Sequence, residues 1–165
     1  MQAASRKSEL ARYYQLYCDM LYRIAFVYMK NEADAEDVVQ ECFIRLMQSK
    51  MQFANNEHVK AWLIVVASNL CKDSLKAKRR KNVPLEVVQY QLSDHAEVYQ
   101  ENEMLKLILE LPDFLITPVY LYYYEGYSSN ECARILGLNP STLRGRLRTA
   151  REKLKLALED DRNEK

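Results

Sequence analysis

Apolar residues return every three or four positions through most of this 165-residue chain, and few segments alternate as a strand would. Leu10, Tyr14, Tyr17, Leu21, Ile24 and Tyr28 predict a first helix over about Ser8–Met29. A break at Asn31–Asp34 follows. Val38, Val39, Cys42, Phe43, Leu46 and Met47 then mark a second helix, about Ala35–Gln48, with carboxylates in its first turn, where the helix dipole favours them. A polar loop at Gln52–Glu57 strands one aromatic, Phe53. A third helix runs from near Asn56 to Arg80, without Gly or Pro but with room for a bend. Residues 83–98 have no clear period and read as a linker. A second helical unit opens near Tyr99, with Met104, Leu105, Ile108, Leu109 and Leu111 on its core side, and breaks at Pro112. Another helix covers about Asp113–Glu125, with Pro118 placed to kink it or to mark its true start after Thr117.

The last third is the most informative. Ser128 and Glu131 form a capping box, Gly137 is placed to end a helix, and Asn139-Pro140 is placed to start another. In that final helix Leu143, Leu147, Ala150, Leu154 and Leu158 form an apolar stripe beside a cationic one of Arg144, Arg148, Arg151 and Lys155. A short turn between two capped helices, the second carrying cations, fits a helix-turn-helix reader of the DNA major groove. The acidic tail after Leu158 is expected to fray. The fold class is therefore all-α: two small helical domains joined by a linker, the C-terminal one holding the helix-turn-helix. Their bounds are 1–82, 83–98 for the linker, and 99–165.

A formal charge of +1 argues against a nucleic-acid binder until its distribution is considered. Residues 60–81 set Lys60, Lys72, Lys76, Lys78, Arg79, Arg80 and Lys81 against Asp73 alone, and residues 134–155 are basic apart from Glu152. Glu32, Asp34, Glu36, Asp37 and Glu41 crowd the second helix, and residues 86–113 are acidic with one lysine. Such blocks suggest two nucleic-acid contacts and separate protein contacts. Trp62 lies in the helix that turns basic; packing against helices one and two is the favoured reading, stacking on opened DNA the other. The tract Tyr120–Tyr127 reads as core supporting the helix-turn-helix. Cys18, Cys42, Cys71 and Cys132 have neither zinc nor redox spacing and read as buried thiols in a reducing cytoplasm. The acidic helix lacks converging ligands for a metal, His58 and His95 are isolated, and no phosphate loop or nucleophile elbow occurs. No signal peptide is evident, and the run Ala61–Ala67 is far too short to span a bilayer, so a soluble cytoplasmic protein is expected, with no cofactor, no metal, no small-molecule substrate and no enzymatic activity.

Three stretches in this order resemble the extracytoplasmic-function sigma factors of bacterial RNA polymerase. Residues 34–45, DAEDVVQECFIR, are similar to that family's polymerase-binding helix; residues 58–69, HVKAWLIVVASN, with Asp73 and the basic run to Lys81, are similar to its promoter-melting and minus-ten region; residues 125–151 are similar to its minus-thirty-five helix-turn-helix. The resemblance implies roles by position. Asp37, Gln40, Glu41 and Phe43 would contact the clamp helices of core polymerase. Phe53, Ala54, Asn55, Asn56 and Glu57, with Asn69, would shape the pocket for a flipped minus-ten base. Lys72, Lys76, Arg79 and Arg80 would hold minus-ten phosphates. Ser141, Thr142, Arg144, Gly145 and Arg148 would face the minus-thirty-five element. Core polymerase and promoter DNA would be the partners, and the family often adds a membrane-associated anti-sigma factor. Two departures stand out: residues 113–117 lack the family's usual basic residue after Leu-Pro, and Gly145 stands where a small polar residue is common. The alternative is a stand-alone helix-turn-helix regulator, which would need a sensor or dimerisation unit in the first domain.

With acidic blocks offsetting basic ones, the isolated chain is expected to bind promoter duplex weakly and with strong salt dependence. Tight binding that survives raised salt, measured by titrating the purified chain against duplex DNA, would contradict this.

Overall fold

The computed structural model describes residues 2–81 and 107–163, with residues 156–163 through their backbone alone. Every regular element among the described residues is helical. The chain divides into two compact units, Met1–Gln91 and Leu92–Lys165. The linker, the expected helix start near Tyr99, and Met104 and Leu105 lie outside the described residues.

In the first unit, α1 (Gln2–Met29), α2 (Glu32–Gln48) and α3 (Asn56–Arg80) pack pairwise around one core. Leu21, Ile24, Ala25, Val27, Cys42, Val59, Leu63, Ile64, Ala67 and Cys71 are sealed from solvent. At about 25 cal/mol per Å² of apolar surface, such burial dominates the unit's stability. The apolar stripe of α1 is followed only in part: Tyr17 and Leu21 are buried, whereas Tyr14 is half exposed. Helix α1 also begins six positions before the expected Ser8. The extra turns are held from a distance, because Arg6 donates to the carbonyls of Met47 and Ser49 at the end of α2.

The α1–α2 break is shorter than the sequence pattern indicates. Lys30 takes a left-handed conformation (φ 59°), and Asn31 caps α2 by accepting from the Asp34 N–H at 2.8 Å. Its amide also donates to the Met29 carbonyl, so one side chain serves the end of one helix and the start of the next. Helix α3 is continuous from Asn56 to Arg80.

In the second unit, residues 107–109 are helical and turn at Glu110. Helix α4 (Asp113–Val119) follows and passes into a π-helical turn, Tyr120–Tyr124. Pro118 has no N–H for the Phe114 carbonyl, and just beyond it the ladder slips: Glu125 N–H reaches Tyr120 O at 3.0 Å, five residues back. Helices α5 (Ser129–Leu136) and α6 (Pro140–Asn163) complete the unit. Leu115, Ile116, Val119, Tyr120, Leu121, Cys132, Leu143, Leu147 and Ala150 form its core. Tyr120 is the core member of the tyrosine tract, stacked on Tyr124 and donating to Glu125 at 2.8 Å; Tyr123 is exposed. The backbone beyond Leu158, expected to fray, stays helical to Asn163.

Three of the four thiols are buried, as expected; Cys18 is half-buried. Burial pushes Cys42 up to about 12 and Cys132 up to about 11, so both remain protonated at neutral pH.

An ion pair closes the first unit. Lys78, near the end of α3, donates to Asp34 at the start of α2. Burial raises the Asp34 carboxyl, but the hydrogen bonds from Lys78 and Asn31 outweigh it and hold the group below its ordinary 3.8. A lowered folded pKa means the contribution is full above the unfolded value and fades as pH falls through the folded one. Asp34→Asn is therefore expected to cost about 1 kcal/mol at pH 7, a deficit relative to wild type that shrinks as pH falls through the carboxylate range, as read by urea melts across pH.

Candidate functional site

Helix α2 buries Val38, Val39, Cys42 and Leu46, which leaves one outward face. At 3.6 residues per turn, Asp37, Gln40, Glu41 and Ile44 share that face, with Met47 at its edge. Ile44 and Met47 are 42% and 52% exposed, so the face is acidic and apolar together. The sequence pattern puts Met47 in the core; Ile44 lies within the stretch 34–45 but is not among the contact residues the resemblance implies, although its seven-, four- and three-residue spacing from Asp37, Gln40 and Glu41 marks it as their neighbour. Glu41 pairs with Arg45 at 3.1 Å across an exposed helical turn. Phe43 points elsewhere: it is buried, its ring 4.9 Å from that of Tyr14.

The α2–α3 loop and α3 form a second surface. Asn55 caps α3, accepting from the His58 N–H at 2.9 Å, and the Ala54 N–H donates to His58 Nδ1 at 3.1 Å. Phe53 is half-buried, edge-on to His58 at 5.2 Å and to Trp62 at 5.6 Å. Trp62 is half-buried rather than sealed in the core. Asn56 is engaged by α1: its side chain accepts from Arg12 and its carbonyl from Tyr17. Glu57 is exposed.

From Trp62, one helical face of α3 continues through Asn69, Asp73, Lys76 and Arg80 at seven-, four- and three-residue steps. Asn69, Lys76, Arg79 and Arg80 are exposed and Lys72 is half-buried. An aromatic end thus grades into a cationic end along one rod, the arrangement that suits bases at one end and phosphates at the other. Lys78, in the middle of the basic run, points to the opposite side and pairs with Asp34.

In the second unit the local chemistry builds a rigid helix-turn-helix. Ser128 N–H donates to Glu131 Oε2 at 2.7 Å while Glu131 N–H donates to Ser128 Oγ at 3.2 Å. Hydrogen bonding to the carboxylate from Ser128, first from its backbone N–H and then from its side chain, holds the Glu131 carboxyl below its ordinary value. Gly137 is left-handed (φ 64°), Leu138 N–H reaches Ala133 O at 2.9 Å, and Gly137 N–H reaches Arg134 O, the two bonds of a Schellman end. Asn139 then starts α6, accepting from both the N–H and the hydroxyl of Ser141.

On α6, Leu143, Leu147, Ala150 and Leu154 face the core, and Arg144, Arg148, Arg151 and Lys155 form an exposed stripe. Ser141 and Gly145 border it on one side, and Thr142, also exposed, lies beyond Gly145 on that same side. The site candidates of this unit are all exposed and lie on one continuous side of the first turns of one helix. Arg146 is half-buried, its guanidinium 5.9 Å from the Phe114 ring.

These features define a helical DNA-binding protein of two units, one with a helix-turn-helix. The family description Sigma-70 region 2 matches residues 13–81, and Sigma-70, region 4, matches residues 101–154. The sigma factor SigV of Bacillus subtilis is 29% identical over 138 residues, spanning 83% of each chain. The extracytoplasmic-function sigma factor SigW of the same organism is 29% identical over 162 residues, spanning 88% of this chain and 86% of its own. Among solved structures, the sigma factor RpoE of Bartonella quintana, in complex with the anti-sigma factor NepR, superposes with a TM-score of 0.67 at 21% identity, over 92% of this chain and 97% of that one. The chain belongs to the sigma-70 family, in its extracytoplasmic-function group.

Gly145 is helical and exposed, with open space where a Cβ would stand. Gly145→Ala is expected to stabilise α6 by about 0.8 kcal/mol, measured as a raised melting temperature of the purified protein.

Proposed function

We propose that each unit carries one of the two promoter-reading tasks of an extracytoplasmic-function sigma factor, and that the first unit also docks the polymerase. In this reading residues 1–82 are sigma domain two, 83–98 the linker and 99–165 sigma domain four. Asp37, Gln40 and Glu41, with Ile44 and Met47, meet the core enzyme. Phe43 supports that face from beneath rather than touching the partner. Residues Phe53–Glu57 and Asn69 receive the opened minus-ten element, while Lys72, Lys76, Arg79 and Arg80 hold its phosphates. Ser141, Arg144 and Arg148 meet the minus-thirty-five duplex, with Thr142 and Gly145 at the margins of the contact.

One observation carries the reading: a single small unit presents an acidic, apolar face on α2 and an aromatic-to-cationic face on α3. A stand-alone regulator has no use for the first and would not need the second. The protein works in the cytoplasm, where its template and polymerase are, and catalyses no reaction itself. No helix among the described residues is long and apolar enough to cross a membrane. An anti-sigma factor is a fitting further partner, since a solved structure of this fold is a sigma factor in complex with one.

Purified chain is expected to capture bacterial core RNA polymerase in a pull-down, and Asp37→Arg/Glu41→Arg to lose at least about tenfold in capture, since like charge replaces complementary charge at a docking face. Absence of capture by the wild type, with active core, would favour the stand-alone regulator.

A further inference from the structure

We propose that the N-terminal half of α1 is a clamp on the α2–α3 loop, and that Arg6, Arg12 and Tyr17 are positioning residues for minus-ten recognition. The inference rests on the reading above that this loop and α3 receive the minus-ten element.

The clamp grips both ends of the loop. Where α2 ends, Arg6 Nη2 donates to Met47 O at 3.1 Å and to Ser49 O at 2.6 Å. The last carbonyls of a helix lack partners within it and sit at the negative end of its dipole, so a guanidinium suits them in charge and geometry. Where α3 begins, Tyr17 Oη donates to Asn56 O at 3.0 Å and Arg12 Nη1 to Asn56 Oδ1 at 3.2 Å. Arg12 is itself steadied over the Tyr13 ring, 4.8 Å from its centroid. Arg6, Tyr13 and Tyr17 follow at seven- and four-residue steps, one line along α1 facing the loop.

A cleft of about 300 Å³ lies between the loop and α1, with Arg6, Glu9, Leu10, Tyr13, Leu46 and Phe53 among its walls. The polar contacts at the two ends act together with the rings of His58 and Trp62 to hold Phe53 relative to Trp62 and Asn69. Releasing either end frees the loop without removing any group that would touch DNA.

The test compares wild type, Arg6→Met, Arg12→Met and Arg6→Lys as full chains with core polymerase. Each transcribes a duplex promoter library randomised at the minus-ten and minus-thirty-five elements. Trp62, the sole tryptophan, reports on the loop through its emission. Both methionine variants are expected to flatten minus-ten preference about fivefold, to leave minus-thirty-five preference and polymerase capture unchanged, and to shift Trp62 emission to the red. Arg6→Lys should recover part of the preference, since an ammonium can reach one of the two carbonyls. Two methionine variants with wild-type minus-ten profiles, or with equal losses at both elements, overturn the clamp and leave the sigma reading standing. A wild-type holoenzyme that selects no minus-ten sequence overturns both.

Discussion

The burial of the C-terminal turns of α1 is the constraint on which the first unit depends. From Ile24 to Met29 every residue is buried, on all sides of the helix. An amphipathic helix buries a stripe; this one ends as an axle with α2 and α3 packed about it. Once that axle is set, α2 can turn only one face outward, and α3 must run with its cationic end beside the start of α2. The Asp34–Lys78 pair closes that meeting point, and Asn31 makes the corner tight enough for it to form. The exposed faces are what remains after the core has taken its share, which is why acidic and basic surfaces end up on different helices.

The second unit rests on a different principle. Its helix-turn-helix is fixed by local hydrogen bonds rather than by a long buried axle. The capping box at Ser128, the Schellman end at Gly137 and the Asn139 cap lie within a dozen residues of one another, and each satisfies groups that the helix ends would otherwise expose. Only then do Leu143, Leu147 and Ala150 dock on α4 and α5, turning the arginine stripe outward.

That contrast explains what could be read from the sequence. Caps, glycine ends and stripe periods involve residues within a turn or two of each other, so Ser128, Gly137, Asn139 and the leucines of α6 were legible. Contacts made across the fold were not. The partners of Arg6 lie more than forty residues along the chain, so the true start of α1 had no local mark. Lys78 looked like one more cation in a basic run, since nothing near it points to Asp34. Phe53 looked stranded because its ring meets those of His58 and Trp62 only once the loop lies against the first turns of α3. Pro118 signalled a disturbed helix, but whether the ladder would kink, stop or slip depended on the packing of Tyr120 and Leu121. For the docking face, periodicity separated inside from outside well in mid-helix and poorly at Met47, where the core runs out.

In α6 the leucines that hold the helix and the arginines that face outward are disjoint sets, interleaved at the same period. A change at Arg144 or Arg148 removes no buried atom, and the caps that aim the helix lie outside the stripe. Such a surface can drift quickly. Descendants of this chain can exchange one outward side chain after another while keeping a working fold at every step, so new target preferences are reachable by single substitutions without a compensating change in the core.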